Sequence, residues 1–150
     1  MVEAVAERVE LKHMVFTGLD RLAPERALIA SCTAQIPIER LQQPCRHPGR
    51  IAGMHWPTAS APPQTVELVP GVATDPATIE ALASIITNIG LVPVRLSKDI
   101  GGSVHGRLLL ALWRESLALI DSGAIAPEEL DRCVRSGLGR ELAVAGPLEW

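Results

Sequence analysis

Apolar positions follow two rhythms along most of this chain. A run from Val2 to Val5 predicts a strand. Leu11, Val15, Leu19 and Leu22, with Met14 beside them, then recur at helical spacing and predict a helix from Arg8 to Leu22, stopped by Pro24. Gly18 lies inside it at a cost of about 1 kcal/mol against Ala, which predicts close packing there. Ala27 to Ser31 reads as a second buried strand and Ile38 to Gln42 as a short helix opened by Pro37. The segment from Gln43 to Gly49 reads as a polar connection.

Two further runs, Ile51 to Trp56 and Thr65 to Val69, flank a proline-rich stretch and predict an antiparallel strand pair. Thr74-Asp75-Pro76 predicts a helix start, with a capping side chain ahead of Pro at the first helical position. Ile79, Leu82, Ala83, Ile86 and Ile89 form the apolar stripe of that helix, and Gly90 is its expected stop. Leu91 to Leu96 reads as a strand, at a sheet edge because of Pro93. Alternation of strand and helix predicts an α/β layered domain with a largely parallel sheet.

The pattern changes after Lys98-Asp99-Ile100-Gly101-Gly102, where the glycines suggest a hinge. Val104 to Ser122 predicts a long helix closed by Gly123, apolar on more than one face and so expected to be buried on more than one side. Pro127 opens another helix with Glu128, Glu129 and Asp131 in its first turn. Leu138-Gly139-Arg140 is expected to break it.

Composition narrows the function classes. The 150 residues carry 14 Lys and Arg against 17 Asp and Glu, without a basic cluster, which argues against nucleic-acid binding. The apolar run from Leu108 to Trp113 is too short to span a bilayer and is flanked by charge. Cys32, Cys45 and Cys133 show no C-x-x-C spacing and no signal-peptide pattern precedes them, which favours free thiols in a reducing cytoplasm. Cys45 and His47 are too few for a metal site, and no metal is expected.

The chemistry concentrates between Arg50 and Gly71. His55 ends one apolar run, and Glu67 is the single acid of the next, between Val66 and Leu68. An imidazole beside a carboxylate suits proton transfer near neutral pH. With Trp56 opposite Gln64, His55 faces Thr65 and Glu67 lies diagonally across on the same face. A slip of one residue separates them. A structural role for a histidine at a strand end is the competing reading.

Several segments together resemble the 3-hydroxyacyl-CoA dehydrogenase family. They are Glu3-Ala4-Val5-Ala6-Glu7 with Lys12 one turn on, Ala30-Ser31-Cys32-Thr33, Gly53-Met54-His55-Trp56, Val66-Glu67-Leu68-Val69, Thr74 to Pro76, and Lys98-Asp99 leading to Gly102 and Arg107-Leu108. Leu138-Gly139-Arg140 and Gly146-Pro147-Leu148-Glu149 also fit. The resemblance implies the C-terminal half of a Rossmann-like NAD-binding sheet over 1–98 and a truncated all-helical dimerisation domain over 99–150. It implies NAD as cofactor, an acyl-CoA-type substrate, and a homo-oligomer or partner subunit. His55 and Glu67 match the family's proton-handling pair, and Glu7 and Lys12 match positions that contact the cofactor.

The chain also departs from that pattern. The G-x-G-x-x-G turn between strand and helix is missing, and Met1 corresponds to a point inside the fourth strand of the family's sheet. Ala34 and Gly106 stand where the family places a serine and an asparagine, and Thr58 where it places another asparagine. Gln35 and His105 are the nearest polar substitutes. Three readings follow. One is a dehydrogenase completed by an upstream segment or a separate subunit. The second is a non-catalytic remnant that keeps the sheet and the dimerising helix. The third is a fragment without an independent role. Edge exposure and the apolar long helix predict an oligomer or a poorly soluble monomer.

Overall fold

The structure, a computed structural model, describes residues 1–57 and 64–149. The chain divides into two compact units, Met1–Gly106 and Arg107–Trp150. The proline-rich stretch between the predicted strand pair, with Thr58, lies mostly outside the described residues.

The first unit is built on a five-stranded sheet in the order β1 (Val2–Glu3), β2 (Ile29–Ser31), β3 (Ile51–His55), β4 (Thr65–Pro70), β5 (Val92–Arg95). The first three strands run parallel, β3 and β4 are antiparallel, and β4 and β5 are parallel again. The layered, largely parallel α/β expectation therefore holds, with one antiparallel pair. β5 takes the edge that Pro93 requires.

Side chains alternate across the sheet, which gives each face its own core. Ala30, Ala52, Met54, Val66 and Leu68 pack with Ile79, Leu82, Ala83 and Ile86 of α3 (Pro76–Asn88). On the other face Ile29 and Ile51 pack with Phe16 of α1 (Val9–Leu22) and with Ile38 and Leu41 of α2 (Ile38–Gln42). Gly53 shows how closely α2 approaches. A Cβ there would stand 2.9 Å from Ile38 Cδ1 and 3.0 Å from Val69 Cβ.

Several local expectations fail for physical reasons. The inward face of α1 is Lys12, Phe16 and Asp20, one step round from the stripe of Leu11, Val15 and Leu19. Met14 and Leu22 are exposed. Two charged side chains occupy the buried face because each finds partners there, as described below. Gly18 marks no close approach, since nothing lies within 4 Å of the place a Cβ would take. Asp75 sits at the N-cap of α3 without a side-chain capping bond. Thr74 is instead tied to the sheet, its hydroxyl donating to the Ile51 carbonyl at 2.6 Å. Gly90 does end α3, with φ +81° and Leu91 N–H donating to the Ile86 carbonyl.

α4 (Val104–Asp121) begins in the first unit and continues into the second. Its apolar residues are not buried in the single chain: Leu108, Leu110, Trp113, Leu117 and Leu119 are all exposed. The chain then forms α5 (Pro127–Ser136) and a further helix, α6 (Leu138–Val144). Gly137 makes the break instead of Leu138-Gly139-Arg140, its N–H closing on the Cys133 carbonyl, and the following residues resume the helix. Among the described residues no helix is long and apolar enough to cross a membrane.

Candidate active site

His55 and Glu67 are direct cross-strand partners at the end of the β3–β4 ladder. The register differs by two residues from the expected one, where His55 faced Thr65. An even shift keeps each side chain on its face, so the pair still shares one side of the sheet. It is the side that carries α1 and α2.

The two side chains are held differently. Glu67 is 3% exposed. Its Oε2 accepts the N–H of Val104 and its Oε1 the N–H of His105, each at 3.0 Å. These are the first two N–H groups of α4, which a helix cannot satisfy internally. Ser103 completes the turn, its hydroxyl accepting the Gly106 N–H at 2.8 Å. The carboxylate thus lies on the positive end of a helix, where negative charge is favoured. His55 is half-buried. Among the described residues no hydrogen bond or ion pair reaches its ring, from Glu67 or from any other group.

Glu7 organises the loop beside them. Its Oε1 accepts the Thr33 hydroxyl and the N–H groups of Ala34, Gln35 and Ile36, at 2.5, 3.2, 2.9 and 3.3 Å. Burial pushes the Glu7 carboxyl up, but those donors and the Lys12 charge bring it below its ordinary value. Behind it, Lys12 is 1% exposed. Its Nζ donates to Glu3 Oε1 at 2.7 Å and to the Val5 carbonyl at 3.1 Å, and lies 3.4 Å from Glu7 Oε2. The other Glu3 oxygen accepts the Ser31 hydroxyl at 2.6 Å. This buried Glu3–Lys12–Ser31 network escaped sequence reasoning, although Glu3 and Ser31 stand at partnered positions of β1 and β2.

A second residue that escaped it is Asp99. Its Oδ2 accepts the Ile38 N–H at 2.8 Å and its Oδ1 the Gly101 N–H at 3.0 Å. The Gly102 N–H donates to the Ala34 carbonyl at 3.0 Å. These bonds lay the 99–102 segment along the loop at Ala34 and close the cavity beside His55 to about 20 Å³. That is room for about one water. Gly101 and Gly102 have φ of +62° and +74°, a backbone shape that other residues adopt only with strain.

The polar substitutes fall as follows. Gln35 and His105 are exposed and engage Glu7 and Glu67 through their backbone N–H groups. No bond from either side chain appears among the described residues. At Gly106 a Cβ would stand 2.9 Å from Ser103 Oγ, so the cap and a side chain at that position compete for space. Among the described residues no three His, Cys, Asp or Glu side chains are grouped to hold a metal ion. Cys32, Cys45 and Cys133 are free thiols. Burial, with the Asp20 charge, pushes Cys45 up to about 11.

Comparison with known proteins settles the family. Residues 1–100 match the model of the 3-hydroxyacyl-CoA dehydrogenase NAD-binding domain. The chain belongs to that family. A 5-formyl-3-hydroxy-2-methylpyridine 4-carboxylate 5-dehydrogenase of Mesorhizobium japonicum is 40% identical over 151 residues, covering 99% of this chain and 48% of the relative. An L-carnitine dehydrogenase of the same organism is 40% identical over 147 residues, covering 96% of this chain and 40% of the relative. A crystal structure of the former type of enzyme, described as an NAD+-dependent dismutase, superimposes with a TM-score of 0.86 over 98% of this chain and 48% of its own. The chain thus spans about half the length of the relatives it matches, and it shares with the family the Rossmann-like sheet on which His55 and Glu67 sit.

Proposed function

We propose that this chain carries the proton-handling centre of an NAD-dependent dehydrogenase, with His55 as general base toward a substrate hydroxyl and Glu67 as the carboxylate that orients and charge-balances it. The observation that carries the reading is the placement of His55 directly opposite a Glu67 anchored on the α4 N–H groups. A fixed carboxylate beside the base balances the positive charge that develops on an imidazole during proton abstraction. The lack of a hydrogen bond between the two side chains among the described residues is compatible with this, because such contacts commonly form only around bound substrate.

Family membership points to NAD as cofactor. The described residues fit that group only in part. They contain a loop held by Glu7, with Lys12 behind that carboxylate, but no Gly-x-Gly-x-x-Gly turn between a strand and a helix to cradle a pyrophosphate. The cavity beside His55 has room for about one water, not for a nicotinamide ring. No hydride step is therefore built from these residues. Their part is to hold the loop, fix the acid and offer the base.

The family name supports oxidation of a 3-hydroxyacyl-CoA to the 3-ketoacyl-CoA, a reaction of fatty acid metabolism. The two relatives are named for other substrates, one of them a pyridine carboxylate. The proposed substrate class is accordingly a secondary alcohol placed near a carboxyl or thioester carbonyl. A second reading, a dimerisation module without turnover, is favoured by the exposed apolar residues of α4 and by Ala34 and Gly106, which lack side-chain donors. A homo-oligomer or a partner subunit would cover that helix.

Formation of NADH by the purified chain with 3-hydroxybutyryl-CoA, 3-hydroxybutyrate and L-carnitine tests the two. The dehydrogenase reading expects turnover with at least one, reduced about a hundred- to ten-thousandfold in His55→Gln. Absence of both turnover and saturable NADH binding supports the module.

A further inference from the structure

We infer that Thr33 is a positioning residue of this centre: its hydroxyl closes a ring of side chains that fixes the loop beside His55. The inference rests on the reading of His55 as the base. It adds a residue that acts through its neighbours and not on the substrate.

The ring runs through five residues. Thr33 Oγ1 donates to Glu7 Oε1 at 2.5 Å. Glu7 Oε2 lies 3.4 Å from Lys12 Nζ, which donates to Glu3 Oε1 at 2.7 Å. Glu3 Oε2 accepts the Ser31 hydroxyl at 2.6 Å, and the Ser31 oxygen accepts the Thr33 N–H at 3.2 Å. The bonds thus return to the residue where they began. Glu3, Lys12, Ser31 and Thr33 are buried, and Glu7 alone of the five is exposed. A buried polar network whose members satisfy one another is rigid.

Thr33 couples this ring to the site. Ser31 pairs with Gly53, so two residues further on Thr33 and His55 stand at matching positions beyond β2 and at the end of β3. Both line the same small cavity. The Thr33 oxygen also accepts the Ile36 N–H at 3.0 Å, which closes the turn over Ala34 and Gln35, two further residues of that wall. The hydroxyl is therefore a donor to the ring and an acceptor for the loop at once. With Glu67 fixed by α4 on the other neighbouring strand, His55 lies between two anchored positions. Proton abstraction needs base and hydroxyl within hydrogen-bond reach and in line, so a loose wall slows it even where the base is intact.

NMR of the full chain reads this without turnover. Thr33→Val keeps the side-chain volume and removes both bonds of the hydroxyl. Amide exchange at Ala34, Gln35 and Ile36 is expected to quicken about tenfold. Exchange in α3 should stay as it is, and the His55 ring signals should shift while those of His13 and His47 hold. Thr33→Ser keeps the hydroxyl and should restore both readouts. Glu7→Gln weakens the ring at its exposed member; it should loosen the same three amides and decides the matter if Thr33→Val does not fold. Unchanged loop exchange, equal acceleration in α3, an unmoved His55 signal, or a Thr33→Ser chain that behaves as Thr33→Val overturns the positioning role. If the loop and the His55 signal follow Thr33 while His55→Gln leaves NADH formation unaltered, the reading of the base has failed and the ring has not.

Discussion

His55 and Glu67 face each other across the β3–β4 ladder, yet the Glu67 carboxylate is bonded to the start of α4 and not to the imidazole. The acid therefore has two duties. It fixes where the long helix begins, and it places a negative charge on the face of the sheet that His55 shares.

The first duty predicts a local effect on stability. Glu67→Ala leaves the Val104 and His105 N–H groups without their acceptor, at a cost of about 1 kcal/mol. Amide hydrogen exchange should quicken at Val104 and His105. Gly106, held by the Ser103 hydroxyl, should change less. Uniform acceleration along the helix, or none, would show that Glu67 does not anchor it.

Lys12 is predicted to be a keystone of the first unit. Lys12→Met leaves the Glu3 carboxylate buried with only the Val5 N–H and the Ser31 hydroxyl as donors. Removing one partner of a buried pair costs about 3 kcal/mol or more. The double variant Glu3→Gln/Lys12→Met should recover part of the loss, because it leaves no unpaired charge. Urea unfolding of the three variants checks this. A Lys12→Met chain as stable as the parent would refute it.

Acid sensitivity is expected from Asp20. Burial pushes its carboxyl up, but the Arg46 N–H, the Arg50 guanidinium and His47 more than offset this and hold it below its ordinary 3.8. At neutral pH the folded and unfolded states are both ionised there, and the full stabilisation is present. As pH falls below 3.8 the unfolded chain takes up the proton first, and the stabilisation is lost as pH passes through the lower folded value. Unfolding free energy should therefore decline on acidification, and more gently in Asp20→Asn. That variant should also be less stable at neutral pH, because Arg50 is buried and Asp20 supplies its opposite charge. An identical pH slope in parent and variant would contradict the assignment.

Much of this architecture is visible in the order of residues. The α2 and α3 helices, the five strands and the Gly90 stop all follow from period and punctuation, because burial on both faces of a layered sheet leaves a strong apolar rhythm. The β3–β4 register lies two residues from the one the pattern predicts, since alternation repeats every second residue and cannot choose between even shifts. The inward face of α1 departs from its apolar stripe for a different reason. Lys12 and Asp20 read as solvent-facing charges, and only tertiary partners distant in sequence, such as Glu3 and Arg50, make their burial tolerable. Within the site, His55 and Glu67 stood out as an imidazole and an acid among apolar neighbours. Asp99 did not, because its role lies in backbone N–H groups that carry no sequence signature.

A double-mutant cycle in turnover tests the central claim most directly. NADH formation by the chain, with whichever hydroxy substrate it oxidises, is compared in parent, His55→Gln, Glu67→Gln and the double variant. If the two residues act as one unit, the double variant is about as slow as His55→Gln alone, because the acid matters only through the base it faces. Multiplicative losses would contradict that account, as would a His55→Gln chain that turns over at the parent's rate.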